Sequence, residues 1–255
     1  MSTQSAPGAT QSPVRPPLEG KIALVTGGSR GIGAAIVRRL TADGAQVAFT
    51  YTSAKEQADT VAEATGALAI QADSADHEAV RAAVGRTTKH FGALDILVNN
   101  AGVSHAAPIE DFPLEEFDRL IAVNVRGVFS AVQAATPHLG QGGRIITIGS
   151  VIVDRVPFPG ATVYALTKAA VAGLTRGLAR ELGPHGITVN NVQPGPTATD
   201  MTPVSGPYAE SLKQLMPLDH FAEPADIASA VAYLAGPEAH FITGANWNVD
   251  GGIAV

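Results

Sequence analysis

The sequence predicts an α/β fold in one domain, built on a doubly wound parallel sheet of about seven strands with helices on both faces. Short apolar runs rich in β-branched residues alternate along the chain with longer segments of helical periodicity. The runs at residues 22–25 and 96–98 are apolar without alternation, which is expected when helices cover both faces of a strand. The helical segments are long enough to cross over between parallel strands.

The strands and their connections follow in a regular order. Strands are predicted at residues 21–26, 46–51, 67–72, 95–99, 144–149, 187–193 and 241–249. One helix is predicted to open after the first strand and to run to about Ala42, and another helical run covers residues 117–133. We see no internal repeat and no linker, so residues 20–255 are predicted to form a single domain.

Two segments are predicted to lie outside this regular pattern. Residues 1–19 are rich in Ser, Gln, Ala and Pro and lack the basic start and apolar run of a signal peptide, so we expect a flexible N-terminal tail. Residues 200–224 hold four prolines between a strand and a helix. An irregular stretch of this length beside a binding site is often a lid, which is our prediction here.

The composition excludes several classes of function. Lys and Arg total 17 against 23 Asp and Glu, and the net charge of −6 disfavours nucleic acid or an anionic membrane as the main partner. Without cysteine the chain can form no disulfide, thiolate nucleophile or cysteine metal site, and we expect no metal. No run approaches the roughly 18 apolar residues that span a bilayer, so we expect a cytoplasmic protein.

A glycine-rich turn directly follows the first strand. Glycines permit the φ angles and close approaches of such a turn, whose helix N-terminal amides can bind a phosphate. This indicates a Rossmann fold that binds a dinucleotide through Gly27, Ser29, Arg30, Gly31, Ile32 and Gly33. The same residues also match the pattern G-x-S-x-G, which forms the nucleophile elbow of serine hydrolases and would make Ser29 the nucleophile. That elbow normally lies in mid-sheet, after earlier strands, so the hydrolase is the weaker alternative.

The residues after the second strand predict which dinucleotide is bound. NAD-specific folds usually place a carboxylate there to bind the ribose 2′-hydroxyl. This chain has Thr52 and Ser53 instead, and Arg30 can pair with a 2′-phosphate. We therefore predict that NADP(H) is preferred over NAD(H). The alternative is that Arg30 is an ordinary solvated arginine.

A tyrosine and a lysine supply candidate proton-transfer groups. Tyr164 and Lys168 stand four residues apart in a predicted helix and therefore share a face. A free phenol has a pKa of about 10, and a neighbouring ammonium would favour the phenolate. Ser150 ends the fifth predicted strand at the ligand-binding edge, and Asn124 interrupts a helical run with a poor helix former. Taken singly, each of these also fits a surface pair, a cap or a solvated amide.

Together these residues resemble the short-chain dehydrogenase/reductase family, in its 3-oxoacyl-[acyl-carrier-protein] reductase-like branch. The resemblance covers nearly the whole chain from about Leu18 to Val255. It is carried, in the family's order, by Thr26-Gly27-x-x-x-Gly31-x-Gly33, Asp73, Asn99-Asn100-Ala101-Gly102, Asn124, Ser150, Tyr164-x-x-x-Lys168 and Pro194-Gly195.

The resemblance implies a role for each matching position. Tyr164 would be the general acid or base, Ser150 would orient the substrate oxygen, and Lys168 would bind the nicotinamide ribose and lower the pKa of Tyr164. Asn124 would hold a relay water. The cofactor would be bound by Tyr164, Lys168 and the glycine turn together with Asp73, Asn99, Ala101, Gly102, Pro194, Gly195, Thr197 and Thr199. Thr52 and Ser53 after the second strand, and Ser74 beside Asp73, complete the predicted cofactor site.

The implied activity is NADP(H)-dependent interconversion of a ketone or aldehyde, or a 3-oxoacyl thioester, and the corresponding alcohol. The same fold could instead sense NADP(H) without catalysis, which we keep as an alternative. Arg126, Arg176 and Arg180 could meet an acidic carrier, and apolar helices at residues 125–135 and 169–178 suggest a homotetramer or homodimer.

Two departures from the family pattern bear on the site. Thr197 replaces the isoleucine or valine often found there, which a main-chain contact should survive. The spacing from Ser150 to Tyr164 is one residue longer than in many members, so substrate contacts in the loop of residues 151–160 can differ.

Overall fold

The computed structural model describes residues 15–202 and 204–255. It confirms the predicted fold class: seven strands form one parallel sheet in the order β3-β2-β1-β4-β5-β6-β7. The strands are β1 (Ile22–Val25), β2 (Gln46–Tyr51), β3 (Leu68–Gln71), β4 (Ile96–Asn99), β5 (Arg144–Ile148), β6 (Thr188–Pro194) and β7 (Asn246–Val249).

Helices cover both faces of the sheet. They are α1 (Gly31–Ala42), α2 (Lys55–Thr65), α3 (His77–Phe91), α4 (Leu114–Ile121), α5 (Gly127–Ala135), α6 (Thr162–Leu182), α7 (Pro207–Lys213) and α8 (Pro224–Ala235). Successive strand residues point to opposite faces, so Val25 and Val98 enter the core under α1 and α8, whereas Leu24 and Leu97 enter the core under α3 and α5. This double burial explains why the central strands are apolar throughout.

The N-terminal boundary of the fold differs from the prediction. Residues 1–14 of the predicted tail lie outside the described residues, but Leu18 is only 1% exposed and packs in the core beside α1. Its main-chain N–H donates to the carbonyl of Asp43 at 2.9 Å. The ordered fold therefore begins before Gly20, because a buried leucine anchors the chain against the end of α1.

Two other boundaries were wrong. Strand β7 begins at Asn246 instead of residue 241, and Phe241 is 93% exposed in the preceding turn. The helical run predicted at residues 117–133 is interrupted between α4 and α5 by a π-helical turn, Ala122–Arg126, which contains Asn124. Such turns leave the regular hydrogen-bond pattern and are frequent at functional sites.

The proline-rich segment at residues 200–224 is more regular than expected. Pro207 and Pro224 occupy the first positions of α7 and α8, where a proline without an N–H is tolerated. Leu212 of α7 and Met216 are buried with Val151 in a small apolar cluster of their own. Pro203 lies outside the described residues. The segment is thus a packed helical element, and its predicted role as a lid remains a prediction.

Across the described residues, no helix combines the length and apolar character that crossing a membrane requires. Residues 15–202 and 204–255 also contain no cluster of three or more His, Cys, Asp or Glu side chains arranged to hold a metal ion.

Candidate active site

The glycine turn is fastened by the loop that follows β4. The Thr26 hydroxyl accepts hydrogen bonds from the main-chain N–H groups of Asn100 (3.0 Å) and Ala101 (3.1 Å). The Asn100 amide donates to the carbonyls of Thr26 (3.0 Å) and Gly27 (2.9 Å). The sequence motif contains Asn100 without assigning it a role, yet its side chain fixes the shape of the turn.

The turn needs its glycines for two different reasons. Gly27 and Gly31 have φ angles of +67° and +53°, which other residues rarely adopt. A Cβ atom at Gly33 would lie 2.1 Å from the Gly27 carbonyl oxygen, so no side chain fits there. No side chain caps the start of α1, and Ile32 follows Gly31 in its first turn. The cradle therefore leaves main-chain N–H groups available, which suits a pyrophosphate.

Strand β2 ends beside this turn. The N–H groups of Gly27 and Gly28 donate to the Thr50 hydroxyl (3.0 Å) and carbonyl (2.8 Å). Thr52 and Ser53, which follow β2, are exposed at the same edge of the sheet. Hydroxyl groups and no carboxylate thus stand where a ribose 2′-substituent would be bound.

Arg30 extends from the turn toward the segment after β6. Its guanidinium contacts the Asp200 carboxylate at 3.3 Å, and both side chains are mostly exposed. An exposed pair of this kind is weak, about 0–1 kcal/mol, so Arg30 can exchange this partner for another anion.

The residues after β3 and β4 fall into two groups. Asp73 is exposed after β3, where its carboxylate accepts from the Ala75 N–H at 2.9 Å, and Ser74 is half-buried beside it. Asn99 is only 2% exposed and donates to the Thr147 hydroxyl at 3.5 Å. Its side chain thus lies between β4 and β5, and the part of Asn99 in lining the cofactor cleft stays a prediction.

The segment after β6 lies against the glycine turn. At the end of β6, Pro194 is followed by Gly195, where a Cβ atom would come within 2.6 Å of the Asp250 Cα. Thr197 is buried and bridges to Ala222 through the main chain. The Thr199 methyl group would contact a Cβ atom at Gly31 at 3.4 Å, which places Thr199 directly over the turn.

Ser150, Tyr164 and Lys168 meet where β5 ends and α6 begins. Ser150 caps the short 3₁₀ helix Val151–Val153, and its hydroxyl accepts from the Ile152 N–H at 3.3 Å. The Tyr164 hydroxyl lies near the Ser150 side chain, whose hydrogen-bonding influence lowers the pKa of the phenol. The Lys168 ammonium is buried, donates to the Ile148 carbonyl at 2.9 Å and lies 5.6 Å from the centre of the Tyr164 ring. A hydroxyl pair and a cation are therefore assembled at one point.

Burial shifts the pKa values of Tyr164 and Lys168 in opposite directions. Burial raises the pKa of Tyr164 to about 12, and the hydrogen bond with Ser150 only partly opposes that shift. Burial likewise lowers the pKa of Lys168 to about 8. Desolvation of the phenol dominates this shift, and the implied lowering of the Tyr164 pKa by Lys168 stays a prediction. Tyr164 is therefore protonated at neutral pH, and burial makes the phenol a weaker acid than free tyrosine.

Asn124 uses its whole amide to join two elements. Its Oδ1 accepts from the Val103 N–H at 2.9 Å, and its Nδ2 donates to the Val103 carbonyl (2.8 Å) and the Thr167 hydroxyl (3.1 Å). A Cβ atom at Gly102 would lie 3.5 Å from Asn124 Oδ1 and 3.6 Å from Lys168 Nζ. Asn124 thus holds the loop after β4 against α6, while the relay water remains a prediction.

The structure gives no support to a serine hydrolase. Ser29 is only 9% exposed within the glycine turn. The acid and the histidine that could complete a triad, Asp226 and His240, hold main-chain groups near the two ends of α8. Asp226 accepts from the Glu223 N–H at 2.8 Å, and His240 contacts the Pro237 carbonyl at 3.1 Å. Neither residue is used as the partner of a nucleophile.

Comparison with known proteins agrees with this geometry. The family described as enoyl-(acyl carrier protein) reductase matches residues 27–254. The cyclic-di-GMP-binding biofilm dispersal mediator protein of Escherichia coli (strain K12) is 47% identical over 232 residues, which cover 91% of this chain and 96% of that protein. The 3-oxoacyl-[acyl-carrier-protein] reductase FabG of Staphylococcus aureus (strain Mu50) is 43% identical over 241 residues, or 91% of this chain and 98% of that protein.

Solved structures match over the same extent. A short-chain dehydrogenase/reductase from Serratia marcescens is 55% identical with a TM-score of 0.93, covering 94% of this chain and 100% of that one. A short-chain dehydrogenase from Burkholderia cenocepacia in complex with NADP is 51% identical with a TM-score of 0.91, at the same coverage. The motif order, the assembled side chains and these matches together show that the chain belongs to the short-chain dehydrogenase/reductase family.

Proposed function

We propose that the protein is an NADP(H)-dependent oxidoreductase that interconverts a ketone or aldehyde, or a 3-oxoacyl thioester, and the corresponding alcohol. The observation that carries this proposal is the meeting of Ser150, Tyr164 and Lys168 at the sheet edge where the glycine turn lies. The proton donor Tyr164, the Ser150 hydroxyl that binds the substrate oxygen and the glycine turn that binds the cofactor phosphates would then act together in one reaction.

The cofactor fits the residues that are present. The uncapped start of α1 would hold the pyrophosphate, and Arg30 with Thr52 and Ser53 would hold the 2′-phosphate. Asp73 and Ser74 would lie along the adenine side, whereas Ala101, Gly102 and the segment of residues 194–199 would line the nicotinamide side. When bound, the nicotinamide supplies or accepts the hydride. The complex of the Burkholderia cenocepacia relative with NADP supports this choice.

The protein's own residues would then manage the proton. In the reductive direction, Ser150 would donate a hydrogen bond to the carbonyl oxygen and Tyr164 would deliver its proton to the developing alkoxide. Lys168 would bind the ribose. It would also help to replace the proton that Tyr164 has given up, which would arrive through water held near Asn124. Tyr164 holds its proton at neutral pH and can therefore donate it, and the alkoxide that forms in the reaction is basic enough to take it.

The walls of the site favour an apolar substrate. Exposed apolar side chains concentrate on the three segments around Ser150: Ile109 and Leu114, Val156, and Met201, Val204, Tyr208 and Leu218. We propose a medium-sized, partly apolar carbonyl compound. The 3-oxoacyl-[acyl-carrier-protein] reductases among the relatives make a 3-oxoacyl thioester one member of this class. Exposed Arg126, Arg176 and Arg180 would then meet an acidic carrier.

A substrate panel tests the proposed function. NADPH consumption is followed with apolar ketones, 3-oxoacyl thioesters and sugars, and kcat/KM is compared across the three classes. We expect turnover of the first two and little of the third. Tight NADPH binding without any turnover would instead favour the non-catalytic sensor. A titration with cyclic-di-GMP, which one relative binds by name, belongs in the same series.

Replacing Arg30 by Met tests the choice of cofactor. We expect NADPH to bind wild-type protein at least about tenfold more tightly than NADH, and Arg30→Met to remove most of that difference, because a hydrogen bond to a charged group contributes about 1.5–3 kcal/mol. Both dissociation constants are measured by fluorescence titration. Arg38→Met, which removes an exposed arginine of α1, is the matched control. Equal affinities of the wild-type protein for the two cofactors would contradict the assignment.

We also propose a homotetramer or homodimer in the cytoplasm. Phe129 on α5 and Leu166 on α6 are 50% and 47% exposed, and the segments expected to form the interface lie mainly on these two helices, where a second copy could cover both side chains. Light scattering after size exclusion should give a multiple of the monomer mass, and Phe129→Glu should lower it. A monomeric wild-type mass would contradict this assembly.

A further inference from the structure

A chain of polar side chains runs from the exposed Asp154, in the segment that carries Ser150, to β6 and β7. We propose that Asp154 is a positioning residue, which acts through Gln193 and Asn248 to hold the Ser150 backbone in place for the reaction. The inference rests on the proposed function, since it assigns Asp154 a part in that reaction. It rests structurally on contacts at both ends of the segment 149–154.

Asp154 fixes the far end of this segment. Its Oδ2 accepts from Gln193 Nε2 and from Asn248 Nδ2, both at 2.9 Å. Gln193 Nε2 also donates to Asn248 Oδ1 at 2.6 Å. Gln193 belongs to β6 and Asn248 to β7, so one carboxylate oxygen joins the loop to two strands of the sheet.

Asn191 reaches the near end of the segment. Its Nδ2 donates to Gln193 Oε1 at 3.2 Å and to Asn246 Oδ1 at 2.8 Å. A Cβ atom at Gly149 would lie 2.5 Å from Asn191 Oδ1, so the amide packs directly on the residue before Ser150. The network therefore touches the chain immediately before Ser150 and four residues after it.

The composition of this network indicates more than packing. Asn191 and Gln193 are 0% and 1% exposed, in a strand whose opposite face carries the buried Val192. Buried amides are unfavourable unless they are hydrogen-bonded, and here both amides use their N–H groups, whereas Asn191 Oδ1, which packs on Gly149, has no hydrogen-bond partner among the described residues. A carboxylate only accepts hydrogen bonds, so Asp154 also decides which way the Gln193 amide is turned. One acidic side chain thus sets the orientation of the whole network.

A short turn passes this constraint on to Ser150. The N–H groups of Asp154 and Arg155 donate to the Val151 carbonyl at 2.9 and 3.1 Å, which closes the 3₁₀ turn that Ser150 caps. Ser150 in turn lies near Tyr164 and lowers the pKa of its phenol. A shift of Asp154 would therefore move the hydroxyl that orients the substrate and contacts the proton donor.

Kinetics of two Asp154 variants test the proposal. Asp154→Ala should lower kcat about tenfold, because misplacing a catalytic group by about 1 Å can reduce the rate up to about 10²-fold, while the NADPH dissociation constant changes less than about twofold. Asp154→Asn should keep kcat within about threefold of the wild type, since an amide oxygen can accept both bonds. Asp118→Ala, which removes an exposed carboxylate on α4, is the control.

A second measurement does not depend on turnover. The protein has four tyrosines, and ¹⁹F NMR of fluorotyrosine-labelled protein resolves the Tyr164 signal by its loss in Tyr164→Phe. The fluorine lowers the phenol pKa into the accessible range. The Ser150 hydrogen bond lowers the pKa of Tyr164, so its signal should titrate at higher pH in Asp154→Ala than in the wild type. Lys168, the nearby cation, is the same in both.

The outcomes separate this inference from the proposed function. Wild-type kcat in Asp154→Ala, with an unshifted Tyr164 signal, overturns the positioning role even if the enzyme is an active reductase. A shifted signal in a protein that reduces no substrate supports the link from Asp154 to Tyr164 and contradicts the proposed function. If Asp154→Ala fails to fold, the kcat and the Tyr164 signal are measured on Asn248→Ala instead, which removes one hydrogen-bond donor to the Asp154 carboxylate.

Discussion

Tyr164→Phe is expected to lower kcat for carbonyl reduction by about 10²- to 10⁴-fold, which is the usual contribution of general acid catalysis. The substitution removes the hydroxyl that Ser150 holds and leaves the ring to pack as before. With a pKa of about 12, the phenol keeps its proton at neutral pH, so its loss removes a donor that is fully present. The NADPH dissociation constant should change less than about twofold.

The matched control for this prediction is Tyr233→Phe. Tyr233 is 41% exposed on α8, where it packs against Trp247, and it takes no part in the site. Stopped-flow measurement of NADPH consumption gives kcat, and fluorescence titration gives the dissociation constant for each variant. A Tyr164→Phe enzyme with nearly normal kcat would show that another group donates the proton. Loss of cofactor binding together with activity would point to structural damage.

The fold was largely predictable because a strand that is buried on both faces appears in the sequence as an uninterrupted run of apolar residues. A strand with helices on both faces is apolar over most of its length, and residues 22–25 and 96–98 are runs of this kind. The errors in the element boundaries arose where an apolar residue lies outside the strands and helices. Phe241 lies in an exposed turn before β7, and Leu18 packs into the core from a segment that is otherwise polar. Neither can be told from its neighbours without the tertiary structure.

The site shows the same division between local and tertiary information. The spacing of Tyr164 and Lys168 is a property of one helix, and the structure brings them beside Ser150. Asn99 and Asn100 are adjacent and chemically identical, yet only the strand's register decides that Asn99 is buried and Asn100 binds the turn. The direction of the Tyr164 pKa shift depends on desolvation, which a sequence does not display.

Gly33→Ala is expected to weaken NADPH binding by at least about 100-fold, which corresponds to losing one or two hydrogen bonds to a charged phosphate. The added Cβ would lie 2.1 Å from the Gly27 carbonyl oxygen and 2.5 Å from Asn100 Nδ2. Main chain cannot yield as a flexible side chain would, so the turn has to open. The Asn100 bonds that fix the carbonyls of Thr26 and Gly27 are then broken.

Gly85→Ala is the matched control, because Gly85 is a helical glycine in α3 where an added Cβ atom would have no neighbour within 4 Å. Alanine there should raise the free energy of unfolding by about 0.5–1 kcal/mol and leave NADPH binding unchanged. Calorimetric titration and thermal unfolding of both variants distinguish a local loss of binding from global damage. If Gly33→Ala stays folded and binds NADPH like the wild type, then the close contact at Gly33 does not shape a phosphate site. In that case the start of α1 cannot be where the cofactor is held.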